Sequence, residues 1–361
     1  MADVQPFRAV RYSGAAGSLA DLVAPPYDAV SREERSRLLA RSPYNVIRLT
    51  LPDSAAEAGS LYRAWLGEEI LVREQDPGVW LVADDFVGPD GVARERHGLV
   101  VSVAVEPYEA RHVLPHERTH SQIREERLQL LRATGVQLEP IFLLQSEPLD
   151  VELPRRAPDL QADGTRLWRL PDRALAPRRA DSELLIADGH HRYESALEFA
   201  STAGPGSARM MALLVSTRDP GLEIFPTHRI FRGRPDLAEL REGEACGSLE
   251  EALARFADEP RSHAAAVAYR RGGAELVRGE HGELDVELVD RHGLDGIDYT
   301  PGATEAVAAV ERGNADVVFL VRAPRIGDVF ATARRGGRMP PKSTYFFPKP
   351  LSGLLFHPLD P

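Results

Sequence analysis

The densest run of chemistry-bearing side chains is Asp188-Gly189-His190-His191-Arg192. It follows the apolar stretch 184–187 and precedes a helical spacing of Tyr193, Ala196, Leu197 and Ala200. A strand that turns at a glycine into a helix aims free backbone N–H groups and the positive end of the helix dipole at one point, which favours an anion. His190, His191 and Arg192 add donors suited to phosphate oxygens, and Asp188 is the carboxylate that could hold a divalent cation beside them. Gly189 permits the tight turn and close approach of a ligand. Together these residues read as a phosphate site; a plain Asp-Gly turn ahead of a solvated helix start is the blander alternative.

Two further patterns carry chemistry. Of the 44 basic residues only Lys342 and Lys349 are lysines, seven positions apart in the proline-punctuated segment 339–350, with Ser343 and Thr344 beside the first. A compact ammonium on a flexible stem suits a phosphoryl group in a way arginine's fork does not. The glycine-rich approach of a P-loop is missing, so no Walker motif is assigned, and chance clustering is the alternative. His116-Glu117-Arg118-Thr119-His120 spells H-E-x-x-H, which on a helix would offer two imidazoles to zinc with Glu117 as general base. Pro115 places His116 at or before a helix start, the flanks lack apolar packing, and no third ligand is signalled. The preferred reading keeps Glu117 as an acid/base group and leaves a zinc-dependent hydrolase using His116, Glu117 and His120 as an alternative.

The elements must bring these groups together. Residues 22–28 read as an extended segment fixed by two prolines, followed by a helix over 31–40 that Ser31 and Glu34 open as a capping box. Strands are expected at 45–51, 79–86, 98–105, 140–144 and 211–216, with another ending at 226–229, and helices at 61–72 and 116–133. The stretch 146–181, rich in proline, arginine and aspartate, reads as a surface excursion. The last third is expected to form helices at 236–242, 249–257, 304–312 and 327–333. It should also form a hairpin of 264–269 with 274–278 and a strand at 316–322. The irregular alternation fits a mixed α/β or α+β class better than a regular Rossmann repeat.

Composition narrows the function. The 361 residues suffice for a large core, and 43% hydrophobic with 27% charged residues describe a globular chain. A net charge of −11 argues against nucleic acid as a partner. No apolar run reaches the roughly 20 residues a membrane span needs. The N-terminus lacks the pattern of a signal peptide, and the single cysteine, Cys246, excludes a disulfide framework. A cytoplasmic protein with no membrane partner is expected.

Seven blocks then stand in a familiar order: 22–28, 43–48, 116–119, 127–134, 140–142, Ile-Ala-Asp-Gly-His-His-Arg-Tyr-Glu at 186–194, and Met-Pro-Pro-Lys-Ser-Thr-Tyr-Phe-Phe-Pro-Lys at 339–349. They resemble the family Domain of Unknown Function 1015 (DUF1015) across nearly the whole chain. The charged helix, Pro-Ile strand and Asp-Gly-His-His-Arg turn more distantly resemble the ParB/sulfiredoxin-like group, which includes the free serine kinases. That resemblance implies a nucleotide-binding core over 111–235, elaborated by mixed-sheet segments at 1–110 and 236–361 packed on it as one unit. It also implies that Glu117 takes the place of a catalytic glutamate and that 189–192 form the phosphate loop. The sequence departs from the group in the long insertion before Asp188 and in the lysine segment, which has no counterpart there. Sulfiredoxin's reactive cysteine is missing as well, so sulfinic acid reduction is not expected.

The expected activity is phosphoryl transfer from ATP or ADP, with Mg²⁺, to the hydroxyl of a small serine-like metabolite; a nucleotide-sensing protein without turnover is the alternative. Glu117 is expected to take the hydroxyl proton and Lys342 to neutralise the transferring group. Gly189, His190, His191, Arg192, Ser343, Thr344 and Lys349 are expected on the phosphates, and Asp188 on the metal. Arg48 or Arg229 would hold a substrate carboxylate. Asp28, Asn45, His116, Thr119 and His228 complete the candidate substrate contacts, and a homodimer is left open.

Overall fold

The computed structural model describes residues 2–171, 175, 183–239 and 242–359. Its fold is mixed α/β, with a large mixed sheet and a second antiparallel one.

The apolar runs that dominate the middle of the sequence become neighbouring strands of the first sheet. Its order is Val113–Leu114, Leu184–Asp188, Ile141–Gln145, Arg209–Ser216, Ala93–Ala104, Val79–Val87, Thr165–Leu170 and Leu160–Ala162, with Val4–Gln5 joining Ala93–Ala104 as a ninth strand. Ile141–Gln145 runs parallel to Arg209–Ser216 and antiparallel to Leu184–Asp188. Alternate residues of these strands serve different layers. Ile141, Leu143, Leu184, Ile186, Ala212 and Leu214 face a cluster with Leu131, Tyr193 and Ala196, from helices Ser121–Thr134 and His190–Ala203. Phe142, Leu144, Leu185, Ala187, Met211 and Leu213 face Val329, Phe330, Met339 and Phe346 from the last part of the chain. Asp188, at the end of its strand, therefore emerges between the helical layer and the lysine-bearing segment.

The second sheet has the order Glu244–Cys246, Gly273–His281, His263–Arg270, Val317–Leu320, His228–Phe231 and Ile297–Thr300. A two-stranded ribbon pairs Glu223–Phe225 with Tyr345–Phe347 and so fixes the lysine segment to the body of the protein. The helices Arg32–Arg41 and Ala55–Gly67 build a third apolar cluster with Tyr12, Val46, Ile47, Leu130 and Phe356. Ser31 opens the first of these helices by accepting the Glu34 N–H, as the capping pattern requires.

Several expected elements differ. Residues 45–51 hold a short helix, Ile47–Thr50, because Asn45 is buried and its Oδ1 accepts the Ile47 N–H as a local turn former. The helix expected from 116 begins only at Ser121; residues 116–120 are a loop. The excursion 146–181 contains the hairpin Leu160–Ala162 with Thr165–Leu170, which extends the first sheet, while 172–174 and 176–181 lie outside the described residues. Of the helix expected over 236–242, Pro235–Glu239 is helical and 240–241 lie outside the described residues. No helix among the described residues is long and apolar enough to cross a membrane.

Candidate active site

The turn at Gly189 is dictated sterically. Gly189 has φ +99° and ψ +26°, and a Cβ there would lie 2.6 Å from Ile141 Cγ2. Both facts require glycine. Helix His190–Ala203 starts at the next residue with no side chain capping it, so its first-turn N–H groups are left for another acceptor. That helix start opens on a cleft of about 360 Å³, within the range of small-ligand pockets. Tyr27, Asp28, Glu117, residues 187–192, Thr227, Lys342, residues 344–346 and Lys349 line it. Three other pockets hold only about 20–40 Å³ each.

Both lysines reach this cleft. Lys349 Nζ lies 2.5 Å from Asp28 Oδ2 and 2.9 Å from Asp188 Oδ1. Asp188 Oδ2 in turn accepts from Arg192 at 2.6 Å. The Asp188 carboxyl is pushed down to about 2: burial opposes ionisation, but Lys349 and Arg192 outweigh it. Lys342 is exposed, and among the described residues its ammonium has no ion-pair partner. Its backbone lies in the left-handed region at φ +52°. Two buried arginines position the segment by binding its carbonyls. Arg229 donates to the carbonyls of Pro341 and Lys342, joined there by the Thr227 hydroxyl, and is itself paired with Asp290. Arg96, paired with Asp84 and stacked over Phe142, donates to the Pro348 carbonyl at 2.8 Å, one residue from Lys349.

Glu117 sits opposite. Its side chain keeps 33% exposure, its carboxylate oxygens lie 3.9 Å from His116 Nε2 and 4.0 Å from His190 Nδ1, and Thr344 is hydrogen-bonded to it. Burial raises its carboxyl to about 7; Asp188 adds to the rise, and Lys342 and Lys349 oppose it. A carboxyl poised near neutrality can exchange a proton with a bound hydroxyl.

The two histidines of the turn line the cleft and also hold backbone through Nε2. His190 Nε2 accepts the backbone N–H groups of His116 and Glu117, at 3.2 and 3.3 Å, and so holds the loop that carries Glu117. His191 Nε2 does the same for the N–H of His120, at 2.9 Å. These nitrogens are acceptors and are not phosphate donors. His116 is fully buried; Nδ1 contacts the Ile186 carbonyl at 2.7 Å and Nε2 contacts Thr344 Oγ1 at 3.0 Å. Burial pulls its pKa down to about 4, so it is neutral and fixes Thr344 beside Glu117.

Other expectations are corrected. The H-E-x-x-H pattern lies in a loop, both His116 nitrogens are engaged, and no group of three His, Cys, Asp or Glu among the described residues is arranged to hold a metal. The zinc reading therefore falls. Arg192 is buried and spends its guanidinium on Asp188 and the Pro140 carbonyl, although its Nε has no hydrogen-bond partner among the described residues. Ser343 is fully buried and donates to the Pro340 carbonyl. Asn45 donates to the carbonyls of Asp21 and Val23, and Arg48 to that of Leu39, away from the cleft. Thr119 donates to Glu194, and His228 Nδ1 accepts the Val321 N–H inside the second sheet. Arg229 binds carbonyls of the chain instead of a substrate carboxylate. Polar side chains at these positions bind backbone or, at Thr119 and in part at Arg192, a carboxylate of the chain itself, which spacing alone does not distinguish from ligand binding. Tyr27, Thr227 and Tyr345 line the cleft without having been singled out; each stands next to a residue that was, Asp28, His228 and Thr344 respectively.

Residues 4–298 match the family described as "Protein of unknown function (DUF1015)". Similar solved structures include a conserved hypothetical protein from Pyrococcus furiosus, 17% identical over 68% of this chain and 90% of that one, with a TM-score of 0.39. A free serine kinase in complex with AMP is 16% identical over 71% and 91%, with a TM-score of 0.43. SbnI from Staphylococcus aureus, truncated at its C-terminus, is 13% identical over 65% and 79%, with a TM-score of 0.40. No curated protein matches the sequence.

Proposed function

We propose a function from the cleft itself, because the chain belongs to the DUF1015 family, whose description assigns no activity. The cleft binds the phosphates of a nucleotide and passes the terminal phosphoryl group to the hydroxyl of a small metabolite. One observation carries this reading: an uncapped helix N-terminus, the chain's only two lysines and a carboxyl titrating near 7 meet around one cavity.

Phosphoryl transfer asks mainly for positioning and charge neutralisation. The free N–H groups after Gly189 and the ammonium of Lys342, which forms no ion pair among the described residues, suit phosphate oxygens. The acceptor oxygen forms its bond to phosphorus as the bond to the departing nucleotide oxygen breaks, and Glu117 takes the hydroxyl proton. Thr344, fixed by His116, orients Glu117. The likeness of Asp-Gly-His-His-Arg to the free serine kinases puts ATP or ADP first as donor and a serine-like hydroxy acid first as acceptor. Mg²⁺ enters no step on the protein side, because both oxygens of Asp188 are bound by cationic side chains.

The test incubates purified protein with ATP or ADP, Mg²⁺ and a panel of hydroxylated amino acids, followed by detection of a phosphorylated product. Turnover that Glu117→Gln abolishes while nucleotide still binds supports the assignment. Binding without turnover on any acceptor would make this a nucleotide-responsive binding protein, and absence of binding overturns the reading.

A further inference from the structure

The geometry points to Lys349 as a built-in replacement for a divalent cation, its ammonium seated between Asp28 and Asp188 so that the protein binds nucleotide phosphates without holding Mg²⁺. The second half of that statement rests on the nucleotide reading above; the first does not.

Two carboxylates facing one another across a phosphate cleft are the usual means of holding a hard divalent ion. Here the space between them is filled by a side chain. Lys349 contacts Asp28 Oδ2 and Asp188 Oδ1, and Arg192 takes Asp188 Oδ2. Three of the four carboxylate oxygens are thus engaged by fixed cations. Burial alone would lower the Lys349 pKa, but Asp188 and Asp28 raise it above its ordinary value, so the ammonium stays charged at every working pH. The position is built into the fold: Arg96 holds the Pro348 carbonyl, and the Tyr345–Phe347 ribbon leads into the same turn. Residue type agrees. Arginine serves for every positive charge outside the cleft, whereas a compact ammonium is used where an ion would sit.

The charge count gives the consequence. Asp28, Asp188 and Glu117 face Arg192, Lys342 and Lys349 around the cleft. Removing the Lys349 charge breaks the Asp28 ion pair and leaves Asp188 with Arg192 alone, the condition that draws in a metal.

Manganese uptake by the nucleotide-free protein, read by electron paramagnetic resonance, tests the first half. The wild type is expected to take up no Mn²⁺ and Lys349→Met to gain one equivalent. ADP titration by calorimetry tests the second. Wild-type affinity should agree within about threefold in EDTA and in Mg²⁺, whereas Lys349→Met should lose at least about tenfold in EDTA and recover with Mn²⁺. Wild-type protein that takes up Mn²⁺ through Asp188, shown by its loss in Asp188→Asn, overturns the inference. So does wild-type ADP binding that disappears in EDTA. If ADP binds under neither condition, the nucleotide reading fails and the manganese measurement alone decides the role of Lys349. If Lys349→Met does not fold, the wild-type measurements in EDTA and Mn²⁺ decide.

Discussion

Glu117 concentrates the chemistry, and its titration near 7 gives two opposite pH effects. As a base it acts when ionised, so turnover should rise through about pH 7 in a steady-state profile. Glu117→Gln should lower kcat by about 10²–10⁴-fold while leaving nucleotide affinity nearly unchanged. Stability runs the other way. The folded-state pKa lies above the unfolded one, so the unfolded chain ionises first and stability is lost as pH rises from about 4.5 to 7. Calorimetric melts should therefore show Glu117→Gln more stable than wild type at about pH 8 and no such gain at about pH 4. At this scale the sequence was informative where residue types were unusual, as with two lysines among 44 basic residues. It was misleading where a polar residue was ordinary: Asn45, Arg48, Ser343 and His228 answer backbone carbonyls or amides, some close in the chain and some distant, that residue type does not reveal.

Among elements, the strand-glycine-helix junction is the part most fully legible beforehand, because apolar run, glycine and helical period change over within a few residues. Gly189→Ala should cost on the order of 1–3 kcal/mol for its left-handed backbone, plus the displacement forced by Ile141, measured by chemical denaturation. The lysine segment was legible as a motif but its anchors were not. Arg96 and Arg229 lie in two different sheets and look like any of the other arginines until their carbonyl partners are known. Arg229→Met should destabilise the fold by about 3–5 kcal/mol, since Asp290 loses its buried partner, and weaken nucleotide binding at temperatures where the variant is still folded. A parallel titration of Arg96→Met should show the same loss through Pro348. The expected helix over 116–133 took in 116–120, which form a loop because His190 and His191 bind its backbone, a tertiary effect that helical spacing does not contain.

For the molecule as a whole, buried neutral histidines set a lower pH limit. His116 and His228 both have pKa values pulled down to about 4, chiefly by burial. Their unfolded counterparts protonate near 6.5, so the stability they permit is complete above about pH 6.5 and lost as pH falls toward 4, on the order of 2–3 kcal/mol each. Melting temperature should fall steeply across that window, and His228→Asn should flatten the slope. The mixed α/β class was readable from alternating apolar runs. The layer that the lysine segment contributes was not, because proline-punctuated chain has no period from which to infer what it covers.

The scarcity of lysine has a practical corollary. An amine-directed acylating reagent has only two side chains to modify in this protein, and both border the same cavity. Lys342, exposed and without an ion pair among the described residues, should react first, while Lys349 is shielded between its two aspartates. Mass spectrometry of the modified chain thus becomes an occupancy gauge: any occupant that covers Lys342 registers as a missing adduct, with no engineered probe required.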